Sequence, residues 1–285
     1  MSAVAALTRV PARLRVRRPP VTMIVGGSFI VAWVLVAVLG PIVHPSDPTA
    51  LHLEHALQPP SAAHPFGTDN LGRDVLNRVV HGARVDLEIG VFSVFPALVI
   101  GSILGSLAGF YGRVLDTLFG RLVDVVVAFP FFVLVIAIVA VLGPGLINMY
   151  IAVALVGWVS YYRLVRAELV VAKQLDYTSA ARVLGFSDRR ILLRHLFPNV
   201  IVQSLVYASS DFILDILLGS SLGFLGLGAQ PPTPEWGVMI AEGRDFLSRA
   251  WWPSTFPGLA IVALAIGFSL FGDGLADYMR PEVKR

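Results

Sequence analysis

Two aspartates, Asp211 and Asp215, stand four residues apart inside the apolar run from Val200 to Leu227. That spacing puts both on one face of a helix, with Gln203 on the same face and Ser204 nearby. A carboxylate in hydrocarbon is costly unless water, a cation or a proton meets it. The pair therefore marks a polar path, an ion pair with another helix, or a cation relay. A second constellation, Asp176-Tyr177-Thr178-Ser179-Ala180-Ala181-Arg182-Val183-Leu184-Gly185, is polar and short, and His195-Leu196-Phe197-Pro198-Asn199 follows it. Asp176 can accept the free N–H groups of a first turn, and Gly185 can end the helix in the left-handed conformation. Tyr177, Ala180, Ala181 and Leu184 fall at i, i+3, i+4 and i+7, giving one apolar, mostly small face. Its chemistry is docking into a partner's groove.

Covalent and hydrolytic chemistry finds no support. The chain contains no zinc-type His/Glu spacing and no phosphate loop. Its two lysines, Lys173 and Lys284, do not follow glycine-rich loops, so any ATP used must be bound by another chain. Cysteine is absent, which removes disulfides and thiolate chemistry. His44, His52, His55 and His64 cluster in one segment, but no carboxylate spacing completes a metal site, and none is assigned. The net charge of +3 reflects arginines beside an anionic leaflet, and no nucleic-acid partner is implied.

The elements that must position these residues are membrane helices. With 56% hydrophobic and 14% charged residues, the 285-residue chain cannot present a water-facing globule. Six segments are long enough to cross a bilayer: 21–43, 87–111, 122–142, 149–164, 200–227 and 257–275. The expected fold is all-α and polytopic. Arginine and lysine collect in the tail 1–20, around Arg113 and Arg121, in the loop 165–199 and at the C-terminus, which assigns these parts and both termini to the cytoplasm. The segments 44–86 and 228–256 then lie outside. The first run is too long for a signal-peptide core, and no small-x-small site follows it, so it reads as a retained anchor. Gly101, Gly105 and Gly109 make a smooth stripe, for packing within the chain or on a second subunit. Pro96 and Pro130 permit kinks in the second and third spans, Gly143-Pro144-Gly145 makes a tight turn, and Asp124 is expected to pair with Arg121.

The loop residues Ala180, Ala181, Gly185 and Pro198 resemble the signature loop of binding-protein-dependent ATP-binding cassette importer permeases. The dipeptide and oligopeptide branch is further resembled by Phe66-Gly67-Thr68-Asp69, Gly72-Arg73-Asp74-Val75-Leu76, Phe224-Leu225-Gly226-Leu227-Gly228-Ala229-Gln230-Pro231-Pro232, Glu235-Trp236-Gly237 and Gly272-Asp273-Gly274-Leu275. Together they cover nearly the whole chain. One departure is Ser179, which stands where the family usually has glutamate; Asp176 is one turn earlier.

The resemblance implies a type I importer permease in a bacterial inner membrane, forming half of a peptide path. It also implies a heterodimer with a homologous permease, two cytoplasmic ATPases that bind ATP and Mg, and an external solute-binding protein. Under it, Asp176, Tyr177, Ser179, Ala180, Ala181, Arg182, Leu184, Gly185, His195 and Pro198 engage an ATPase. Gln203, Asp211 and Asp215 line the path, while Pro231, Pro232, Glu235 and Trp236 meet the binding protein. Three alternatives are a secondary transporter coupling ions through Asp211 and Asp215, a passive anchor, and the same importer carrying nickel, glutathione or another small solute.

Overall fold

The computed structural model describes residues 18–43 and 45–279, and every described element is helical. His44, nearly all of the basic tail and the C-terminal arginines and lysine lie outside the described residues. Helix α1 is Val21–Val43, as the apolar run predicts. Most of its large side chains stay exposed, including Ile24, Val31 and Val38, as a helix facing lipid requires.

Helix α2 (Val75–Tyr111) starts twelve residues before the expected span. The reason is Asp74, whose carboxylate accepts the Asn77 N–H at 2.8 Å and fixes the first turn outside the apolar run. The expected third span is two helices, α3 (Arg113–Val127) and α4 (Phe131–Leu142), bent by 87° at Pro130. Pro130 lacks the N–H that a continuous helix would use, and it sits at the N-cap of α4. Helix α5 (Leu146–Ala172) extends well past the expected 149–164.

Helix α6 (Asp176–Val183) follows, then the short α7 (Asp188–Arg190), which runs through a π-helical stretch at Ile191–Leu196 into α8 (Phe197–Phe224). Helices α9 (Trp236–Gly243) and α10 (Trp252–Met279) complete the described chain. Among the described residues, four helices are long and apolar enough to cross a membrane, or five if α3 and α4 count as one broken span.

The most extensive packing is between α2 and α5. The glycine stripe makes it possible: a Cβ on Gly101 would lie 2.3 Å from the Trp158 carbonyl oxygen, and one on Gly105 2.7 Å from that of Tyr162. The stripe is thus an interface within the chain, and its second-subunit reading is set aside. Helix α1 packs on α10, where Gly26 and Gly274 allow similarly close backbone approach.

The two ends of the bundle differ. At one end the loops at 45–74 and 225–251 close over an aromatic core, in which Trp33 and Trp236 meet edge-to-face at 5.2 Å and Phe66 stacks on Phe256 at 4.0 Å. At the other end α6 and the π-helical stretch pack on the ends of α2 and α5 through Phe110, Leu169, Ala181, Ile191 and Leu196. There the ion pair joins Arg166 of α5 to Asp116 of α3, with Nη2 to Oδ2 at 2.7 Å. The expected Asp124–Arg121 pair does not form.

Candidate functional site

Helix α6 is held from below and open above. Thr178 is fully buried and its Oγ1 donates to the Ala172 carbonyl at 2.9 Å, pinning α6 to the end of α5. Ala181 is also buried, against the cluster that contains Ile191 and Leu192. This corrects the expected docking face, because Thr178 and Ala181 form the inner face. The outward face carries Tyr177, Ala180, Val183 and Leu184, with Val183 89% and Leu184 70% exposed. Ser179 and Arg182 are exposed beside it.

Asp176 does not cap the helix either. It is the first helical residue, and the N-cap is Leu175, whose carbonyl accepts the N–H groups of Thr178 and Ser179 at 3.0 and 3.3 Å. Its carboxylate instead sits at the positive end of the helix dipole. Gly185 behaves as expected, at φ +76°, with the Phe186 N–H returning to the Ala181 carbonyl at 3.2 Å. The His195 ring stacks on Phe186 at 5.5 Å, and Pro198 is exposed in the first turn of α8.

The second site lies midway along α8. Asp211 and Asp215 both line a cavity of about 490 Å³ between α4, α5 and α8. The Tyr161 hydroxyl donates to Asp211 Oδ2 at 2.7 Å, and the Tyr207 ring, one turn before Asp211, meets the Tyr161 ring edge-to-face at 5.2 Å. Asp215 is 5% exposed and has no hydrogen-bond partner or cation among the described residues. Gln203, two turns earlier, is exposed and does not line this cavity. Neither Tyr161 nor Tyr207 was singled out by the sequence. Hydroxyl-bearing rings inside apolar runs are the available signal, with Tyr207 one turn before Asp211 on α8 and Tyr161 on α5.

The loop end is organised by buried charge. Asp69 Oδ2 accepts from Arg73 Nε at 2.6 Å and from Arg78 Nη1 at 2.7 Å, and both arginines reach Glu242 Oε2 at 2.8 Å. Asp69 and the two arginines are at most 3% exposed, so this quartet ties the 45–74 segment and the start of α2 to α9. Trp252 Nε1 adds a bond to the Thr68 carbonyl at 2.9 Å. Among the described residues no group of histidines and carboxylates could hold a metal ion. His55 instead meets Gln58, and His64 pairs with Asp74 at 2.8 Å.

Glu235 and Trp236, expected on a landing surface, are fully buried. Glu235 caps α9, accepting from the N–H groups of Gly237 and Val238 at 2.7 and 2.9 Å. Burial pushes its carboxyl above the usual glutamate range. Trp236 Nε1 donates to the Val79 carbonyl at 3.0 Å, against the face of α2 that Gly82 leaves open. Of the expected landing residues, only Pro231 and Pro232 are on the surface.

The profile of the family described as binding-protein-dependent transport system inner membrane component matches residues 101–285. The chain is 42% identical over 261 residues to a dipeptide transport system permease protein of Alkalihalophilus pseudofirmus, covering 92% of this chain and 86% of that protein. It is 44% identical over 265 residues to a di/tripeptide transport system permease protein of Pseudomonas aeruginosa, covering 91% and 88%. A glutathione transport system permease protein of Pectobacterium atrosepticum is 44% identical over 225 residues, covering 79% and 75%.

Proposed function

The chain belongs to the family of binding-protein-dependent transport system inner membrane components, and from that membership we propose that it is the permease subunit of an ATP-driven peptide importer. It is a multi-pass inner-membrane protein that forms half of the translocation path. In this reading the α5 and α3/α4 spans join the four helices that are long and apolar enough to make six crossings. Both termini and α6 face the cytoplasm, and the loops at 45–74 and 225–251 face outward.

The observation that carries the mechanism is the split character of α6. Its inner face is locked to α5 and to the π-helical stretch that leads into α8 through Thr178 and Ala181, while its outer face presents Tyr177, Ala180, Val183 and Leu184 to solvent. A water-exposed apolar face on a rigidly seated helix suits a partner's groove. Two ATPases, each loaded with ATP and Mg, would take α6 and its counterpart in a homologous second permease. Closure of the ATPases then moves α6, and with it α5 and α8, whose Asp211 and Asp215 line the path. An external binding protein delivers the peptide, with Pro231 and Pro232 on the surface that it reaches.

The relatives favour this reading over a self-contained carrier that uses an ion gradient. The test is reconstitution with the two ATPases, the second permease and the binding protein in liposomes. Labelled dialanine should accumulate only with ATP. Accumulation driven by an imposed ion gradient, without ATP, would overturn the assignment.

A further inference from the structure

The cavity around Asp211 and Asp215 has a composition that narrows what it can hold. Its volume, about 490 Å³, is within the range of small-ligand sites. Its walls are mainly apolar and aromatic, with Phe131 and Phe132 from the bend between α3 and α4 and Tyr207 from α8. Into this space come two carboxylates on one face of α8 and no positive side chain.

The two carboxylates are not equivalent. Asp211 is held by the Tyr161 hydroxyl, which orients it. Asp215 is more than nine-tenths buried, faces the cavity and has no partner of its own among the described residues. A carboxylate so placed within a membrane protein is costly unless water, a proton or a cation meets it, and a cationic solute in the cavity would supply the last. A divalent metal is less suited, because no group of three or more histidines and carboxylates converges here among the described residues. An organic ammonium fits better, because the carboxylates neutralise its charge and the ring faces attract it.

We propose that Asp211 and Asp215 form a subsite for the protonated amino group of a peptide in transit, with Tyr161 positioning Asp211 and Tyr207 forming part of the wall. The inference rests on the peptide-importer reading and adds a role for this chain in selecting what passes. A free α-amino group is largely protonated near neutral pH. The bend at Pro130 brings the two phenylalanines against the site, so the end of the peptide that enters first meets aromatic rings and carboxylates together.

The test uses the complete reconstituted importer, with saturating binding protein and labelled dialanine as the probe. Asp215→Asn and Asp211→Asn should each lower the maximal uptake rate about tenfold, the loss expected for one charge-assisted bond. Asp215→Glu and Asp211→Glu should restore most of it, which a purely structural defect would not allow. If Asp215→Asn does not assemble with its partners, Asp211→Asn and its glutamate counterpart carry the same comparison. Wild-type rates in an assembled asparagine variant, or glutamate variants as slow as the asparagine ones, would overturn the subsite. Replacing sodium chloride with isotonic sucrose should leave wild-type uptake unchanged; a collapse would mean that the carboxylates serve an inorganic cation, again overturning it. If wild-type importer does not accumulate dialanine with ATP at all, the peptide-importer reading itself fails, an outcome distinct from each of these.

Discussion

Glu235 and Asp86 bury their carboxyls against one another at the junction of α9 and α2, with Ser220 donating to Asp86 at 3.2 Å. Among the described residues no arginine or lysine lies between them. The Trp236 N–H also reaches Asp86, at 3.2 Å, so the pair sits where the outer loop is fastened to the membrane bundle.

This arrangement makes stability pH-dependent. The Glu235 carboxyl is raised in the folded protein, so the folded state holds its proton at pH values where the unfolded chain has lost it. The resulting stabilisation is complete below the ordinary glutamate range and is lost as pH rises through the raised value. Melting of the protein in detergent should therefore fall as pH is increased above about 4.3. Glu235→Gln, which keeps one carbonyl acceptor for the α9 N–H groups, should flatten that slope. Parallel slopes for wild type and variant would show that another group is responsible.

The buried quartet should be intolerant of losing one member. Arg78→Ala leaves Asp69 and Glu242 sharing Arg73 alone, and breaking such a buried pair costs about 3–5 kcal/mol. The expected result is a lowered melting temperature and faster proteolysis within 45–74. Arg84→Ala breaks the exposed Arg84–Glu88 pair and should change stability by less than about 1 kcal/mol. Similar effects from the two variants would contradict the distinction.

Helix packing gives a third contrast. Gly101→Ala places a methyl group 2.3 Å from the Trp158 carbonyl, which must move, whereas Gly120→Ala meets nothing within 4 Å. The first should destabilise by about 1–3 kcal/mol and the second should be nearly neutral, read by thermal melting in detergent.

Much of this structure was legible in the sequence, for reasons that differ from residue to residue. The bounds of α1 follow from apolar length alone. Gly185 was recognisable because few other residues adopt positive φ at a helix end. The early start of α2 was not recognised, because its first turns are polar and their burial comes from α9, far along the chain. The inner face of α6 was misassigned for a similar reason. Tyr177, Ala180, Ala181 and Leu184 do share a side by periodicity, but the π-helical stretch at Ile191–Leu196 decides which edge of it is covered. Glu235 and Trp236 looked like surface residues in a proline-rich loop, and only the gap left by Gly82 in α2 explains their burial. The Asp211 and Asp215 pair was visible at once, since charge within an apolar run is conspicuous, while its tyrosine partner Tyr161 lies 50 residues away.

The role of α6 as the lever moved by an ATPase is tested most directly by Leu184→Glu. Leu184 is 70% exposed and belongs to the outward face, so a charge there leaves the Thr178 and Ala181 anchor untouched. The variant should melt like wild type when isolated, yet lose co-purifying ATPase and ATP-dependent dialanine uptake. Retention of the ATPase and wild-type uptake in Leu184→Glu would contradict the account.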